Sequence, residues 1–219
     1  AINPKQRHPY DPCYNFEAGV DAFTSFAIKG VIWYQGEANA AKPRNYKSLM
    51  QALIEDWRMK WGQGDFPFLF VQLANFGDAP KMPGESSWAE LREQQLQTLS
   101  VPNTAMAVTI DIGEWNDIHP LDKKDVGMRL FLAAQYVAYG NKEIIYSGPV
   151  ATSMTIHGSK AIISFQSRGS GLKASGGKEL KQFSIAGADG KISHRRELRP
   201  RQGHQHRARR PAAAAPRGR

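Results

Sequence analysis

Three times between residues 28 and 140 a short, apolar-rich run gives way to a polar loop and then to a segment of helical period. The runs are IKGVIWYQ (Ile28 to Gln35), PFLFVQLAN (Pro67 to Asn75) and TAMAVTI (Thr104 to Ile110). Continuous apolar runs of this length describe strands buried on both faces, as a parallel sheet requires. After the first, Tyr46, Leu49, Met50, Leu53, Ile54, Trp57 and Trp61 recur at three- and four-residue steps between Arg44 and Trp61, and GQGD stops the pattern. The second leads through a Gly- and Pro-rich loop into a helix from about Ser87 to Leu99. The third leads through DIGEWNDIHPLDK into a helix from about Lys124 to Tyr139, ended by Gly140. Repeated strand-to-helix units of this kind predict an α/β fold, a parallel sheet flanked by helices, with a ligand crevice beyond the C-terminal ends of the strands.

The ends of the chain have a different texture. Residues 1–27 are a Pro-bearing, irregular lead-in, and 28–146 form the core. From 147 to 193, short alternating runs such as ATSMTIHGSKAIISFQSRG suggest antiparallel strands of a partial β module. Residues 194–219 contain no lysine or aromatic residue and only one large aliphatic side chain, so they are expected to be disordered. The body mixes six arginines with fourteen lysines, whereas this tail uses arginine alone, and the switch reads as a frameshifted or artificial end. Nine arginines against one glutamate there carry eight of the nine net positive charges, leaving one for the preceding residues. A near-neutral body argues against nucleic acid as a partner.

No apolar run approaches a membrane span, and AINPKQRHPYDP lacks the charged-then-apolar order of a signal peptide. The lone cysteine, Cys13, excludes an intrachain disulfide and is expected to be a small buried hydrophobe.

Two loops carry chemistry. WYQGEANA places Gln35, Gly36, Glu37 and Asn39 at the top of the first strand. Gly36 suits a turn and Asn39 is expected to cap the next helix. A neutral amide at Gln35 can donate to a developing oxyanion, and the Glu37 carboxylate can orient a histidine or a substrate hydroxyl. In EWNDIHPLDK, Asp117 and His119 share the loop after the third strand. A histidine there can act as general base, and the carboxylate can hold its tautomer and stabilise the imidazolium. Trp115, set among polar neighbours, is expected to be exposed and available to stack on a sugar ring. A metal hydrolase is the natural rival. However, HExxH is absent and His8 and His157 lie far along the chain from His119, so neither metal nor cofactor is expected.

Four segments, IKGVIWYQGEANA, DWRMKWGQGDFPFLFVQLANF, SSWAELREQQ and NDIHPLDKKDVGMRL, resemble in order those of the sialate O-acetylesterase group of SGNH hydrolases, and they span most of residues 28 to 140. HPYDPCYNFEAG and AGADGK are similar to flanking parts of the same proteins. The resemblance implies a flavodoxin-like hydrolase core and a secreted or periplasmic serine esterase acting on O-acetylated carbohydrate. It further implies His119 as general base, Asp117 as its acidic partner and Gln35 on the oxyanion side. The family's nucleophile lies in a Gly-Gln-Ser-Asn type motif upstream of Trp-Tyr-Gln-Gly-Glu, and no such motif occurs here. Ser86 and Ser87 are expected to cap or support a helix instead. The chain alone is therefore expected to be inert, and the alternative reading is a non-catalytic carbohydrate-binding fragment.

Overall fold

A computed structural model describes residues 7–166 other than 9 and 83, together with 183–187, 189 and 192–193. Two compact units result, Ala1–Gly171 and Leu172–Arg219. The predicted tail, 194–219, lies outside the described residues.

The first unit is organised around three parallel strands, β1 (Val31–Trp33), β2 (Phe68–Val71) and β3 (Thr104–Ala107), side by side in that order. In register, Val31, Phe68 and Thr104 stand abreast, then Ile32, Leu69 and Ala105, then Trp33, Phe70 and Met106. Because successive side chains alternate between faces, these rows sort the sheet into two surfaces. Phe68, Phe70 and Met106 face one way and join Val31 and Trp33 in the main core. Leu69 and Ala105 face the other way, into a smaller cluster.

Helices α2 (Tyr46–Trp61) and α3 (Ser87–Gln97) cover the first face, as the three- and four-residue spacing of α2 requires. Tyr46, Met50 and Ile54 are buried there, with Leu53, Trp57 and Trp61 packed alongside. The α2 helix closes on Gly62, whose φ of 64° is the left-handed conformation glycine adopts most readily. Its buried Arg58 donates to the carbonyls of Phe66 (2.9 Å) and Pro102 (2.8 Å), fastening the entrances of β2 and β3. Ser86 caps α3 by accepting the Ala89 amide, as expected of it. The α4 helix (Lys123–Val137) covers the second face through Leu130, Ala133 and Ala134. Its cover reaches Leu69 and Ala105 but leaves Ile32 of β1 70% exposed. Among the described residues β1 pairs with β2 alone, so its outer edge is open.

Two sequence expectations fail in the flanking segments. Cys13 is exposed, because the short helix α1 (Tyr14–Gly19) that it precedes buries none of its residues. Asn39 caps no helix: the chain passes through 3-10 turns at Glu37–Asn39 and Pro43–Asn45 before α2 begins, and the side chain of Asn39 is held by Gln35. Further along, still within the first unit, β4 (Val150–His157) and β5 (Lys160–Gln166) form an antiparallel hairpin, turning at Gly158 with φ 56° and bulging between Ala151 and Ser153. In the second unit, β6 (Ile185–Ala186) pairs antiparallel with β7 (Ile192–Ser193). Among the described residues no helix is long and apolar enough to cross a membrane.

Candidate active site

All three strands point their C-terminal ends to one rim, and every candidate loop leaves from it. Past Trp33 the β1 exit turns sharply. The half-buried Gln35 donates from Nε2 to Asn39 Oδ1 at 2.8 Å, which fixes the side-chain amide and leaves its second N–H uncommitted to that partner. Gly36 is buried, and a Cβ there would stand 3.2 Å from Gln95 Nε2 and 3.3 Å from Leu73 Cδ2. A side chain there would press on both neighbours. The Gly36 N–H donates to the carboxylate of Glu37 at 2.9 Å, so this amide already holds an anionic partner. Burial, with Glu37 close by, raises the pKa of Tyr34 above the ordinary phenol value. Burial also raises that of Tyr46, and here too Glu37 adds to the rise.

The β2 exit rests on α3. Trp88 Nε1 donates to the Ala74 carbonyl at 2.7 Å, Gln72 Nε2 donates to the Arg92 carbonyl at 3.1 Å, and Gln95 Oε1 accepts the Leu73 N–H at 2.9 Å. None of these three contacts is evident from local pattern. The signal lay in the polar Gln95 on the apolar stripe it shares with Leu91.

The β3 exit is a longer loop held from its sides. Gly113 N–H donates to Asn75 Oδ1 at 2.8 Å, and a Cβ on Gly113 would fall 2.3 Å from the Asn75 carbonyl oxygen. The Trp115 carbonyl accepts the Gly77 N–H at 2.8 Å, while the indole is 62% exposed. Glu114 accepts the Leu121 N–H at 3.0 Å. At the α4 end, Arg129 grips Asp111 with two parallel bonds of 2.6 and 2.8 Å, and its guanidinium holds that carboxyl below the usual carboxylate range. Neither Asp111 nor Arg129 stood out in the sequence, since nothing local pairs residues this far apart.

Within this loop Asp117 Oδ1 accepts the His119 backbone N–H at 2.7 Å, and His119 Nδ1 lies 4.0 Å from the same oxygen. The carboxylate therefore sets the backbone of the histidine, while the imidazole, 88% exposed, stands free of a carboxylate hydrogen bond. Catalytic hydrogen bonds are often long in the unliganded state and tighten once substrate is bound.

Asp117 and His119 are thus together, as are Gln35, Gly36 and Glu37. The two groups leave the same rim from the outer strands with β2 between them, so strand spacing puts their exits about 10 Å apart. Two side chains span the interval. Tyr34, at the β1 exit, lies beside the buried Thr109 at the β3 exit, whose hydroxyl donates to the Gln72 carbonyl of the central strand. Lys123, at the start of α4, sits 5.4 Å over the Tyr34 ring.

Residues 5–138 match the family described as "carbohydrate esterase, sialic acid-specific acetylesterase". The mouse sialate O-acetylesterase is 35% identical over 68% of this chain and 30% of its own length, and the human one is 32% identical over 68% and 32%. The chain thus spans about a third of the length of these curated relatives. The crystal structure of a carbohydrate acetylesterase from Xanthomonas citri superposes with a TM-score of 0.72 at 46% identity, over 78% of this chain and 40% of that one. On the strength of these matches, the chain belongs to the sialic acid-specific acetylesterase family of carbohydrate esterases.

Proposed function

We propose that this chain carries the general-base and oxyanion side of an acetylesterase site that removes acetyl groups from O-acetylated sugars, sialic acids first and acetylated plant polysaccharide second. The observation that carries the reading is the Asp117–His119 pair on the β3 exit, opening on the same rim as Gln35, in a chain of this family. In the reaction, a serine hydroxyl attacks the acetyl carbonyl and His119 takes its proton. The imidazolium then passes that proton to the departing sugar oxygen, and water activated by the same histidine releases acetate. Asp117 fixes the imidazole tautomer and stabilises its charged form. With the Gly36 amide engaged by Glu37, the second N–H of Gln35 Nε2 is the donor best placed to meet the tetrahedral oxyanion. The exposed Trp115 ring offers a stacking face for the sugar.

The nucleophilic serine is proposed to come from a Gly-Gln-Ser-Asn type motif, which these residues do not contain. The 219-residue chain should accordingly release almost no acetate from an O-acetylated sialic acid, whereas the chain joined to a family segment bearing that motif should release it at an enzymatic rate. Ordinary turnover by the chain alone, lost on Ser86→Ala or Ser87→Ala, would place the nucleophile on α3 and overturn this assignment. The second reading, a carbohydrate-binding fragment without catalysis, is favoured by the missing motif. It wins if the joined form binds the sugar and leaves its ester intact.

A further inference from the structure

Gln95 breaks the pattern of its own helix. It lies on the stripe that α3 turns toward the sheet and is completely buried, at a position where leucine would pack without a polar group to satisfy. Its amide is fully used. Oε1 accepts the Leu73 N–H, and Nε2 donates to the carbonyls of Val71 at 3.3 Å and Gln35 at 3.4 Å. The last paired residues of β1 and β2 are Trp33 and Phe70, so beyond them the two strands have no ladder to hold them in register. Gln95 bridges that gap, joining two backbone groups of the β2 exit to one of the β1 exit. Tyr46 completes the arrangement by donating its hydroxyl to the same Gln35 carbonyl at 2.8 Å. A Cβ on Gly36 would stand only 3.2 Å from Nε2, so a side chain there would press on the Gln95 amide.

A carbonyl held by two donors fixes its peptide plane, including the Gly36 N–H, and with it the backbone from which the Gln35 side chain leaves toward Asn39. We infer that Gln95 is a positioning residue for acyl transfer: by clamping the Gln35 carbonyl and the β2 exit together, it holds the Gln35 side-chain amide in the orientation that meets the oxyanion. This role rests on the esterase reading of Gln35 given above. Local structural satisfaction alone would make Gln95 matter for stability and leave the chemistry untouched, so the two roles separate experimentally.

The test uses Gln95→Met, which keeps the length and apolar fit of the side chain while removing its hydrogen bonds. Gly36→Ala serves as a second variant that pushes on Nε2 from the other side. In the 219-residue chain, amide hydrogen exchange should quicken about tenfold at Gly36 and Leu73 and stay unchanged at Val31 and Phe68, whose amides bond at the opposite ends of the same strands. In the serine-bearing form, either variant should lower kcat by about a hundredfold with KM nearly constant and the pH midpoint of the rate unmoved. Equal quickening at all four amides, or a kcat equal to that of the parent, overturns the positioning role while the esterase reading stands. If the unsubstituted serine-bearing form releases no acetate, the esterase reading fails and takes the role with it.

Discussion

The two ends of the rim are built in opposite ways. The β1 and β2 exits rest on α3, where Gln95 and Trp88 satisfy backbone groups from beneath, inside the core. The β3 exit is tethered along its flanks by Asp111, Gly113 and Glu114, and it lifts His119 into solvent. Displacing a buried amide strands each of its partners, at roughly 1–3 kcal/mol per unsatisfied group. An exposed imidazole has no such restraint. The proposed oxyanion side is therefore held rigidly, whereas the proposed general base is placed by its loop and keeps its imidazole in water.

Three substitutions probe that contrast, beginning with the largest effect. His119→Ala in the serine-bearing form should lower kcat by about four to six orders of magnitude. The unfolding free energy should stay within about 0.5 kcal/mol, because almost none of the ring is buried. Acetate release and urea denaturation on the same preparation read both. A clear loss of stability would show that the histidine is packed, and the contrast would collapse.

Next comes Gly113→Ala, which places a methyl group against the Asn75 backbone and 2.8 Å from Ala74 Cβ. Two backbones meeting cannot yield as a side-chain tip can, so a loss of about 3 kcal/mol is expected from urea midpoints. A neutral outcome would mean that the flank of the loop is far softer than its hydrogen bonds suggest.

The smallest effect belongs to Asp111→Asn. The pair is half exposed, so about 1 kcal/mol is expected near neutrality even with bidentate geometry. Its pH dependence has a definite sign. The folded state lowers the pKa of Asp111 from the ordinary 3.8, so the stabilisation is complete above that value and fades as the pH falls through the lowered one. The difference between parent and variant should therefore shrink in acid. Thermal midpoints taken on either side of 3.8 would show it, and a gap that widened in acid would rule the ion pair out as its source.

The same contrast explains what could be read from the sequence. Buried strands and the α2 stripe declare themselves by period, because Phe68, Phe70, Met50 and Ile54 answer to a single demand, removal from water. The motif loops were legible as loops, and Asp117 and His119 share one by near adjacency in the chain, although the carboxylate meets the histidine's backbone N–H rather than its imidazole. Asn39 was misread because capping is a local rule and its actual partner, Gln35, is chosen by the turn around Gly36. Gln95 and the Asp111–Arg129 fork join groups brought together only by the fold, and no periodicity encodes such a meeting.

The open flank of β1 bears on how this polypeptide behaves as a solute. A strand paired on one side offers a row of unsatisfied amides and carbonyls on the other, and here exposed Ile32 supplies an adhesive surface beside that row. An edge of this kind is a template for a strand from a second molecule. Self-association through this edge would grow with protein concentration, and a charged residue in place of Ile32 is the change expected to weaken it.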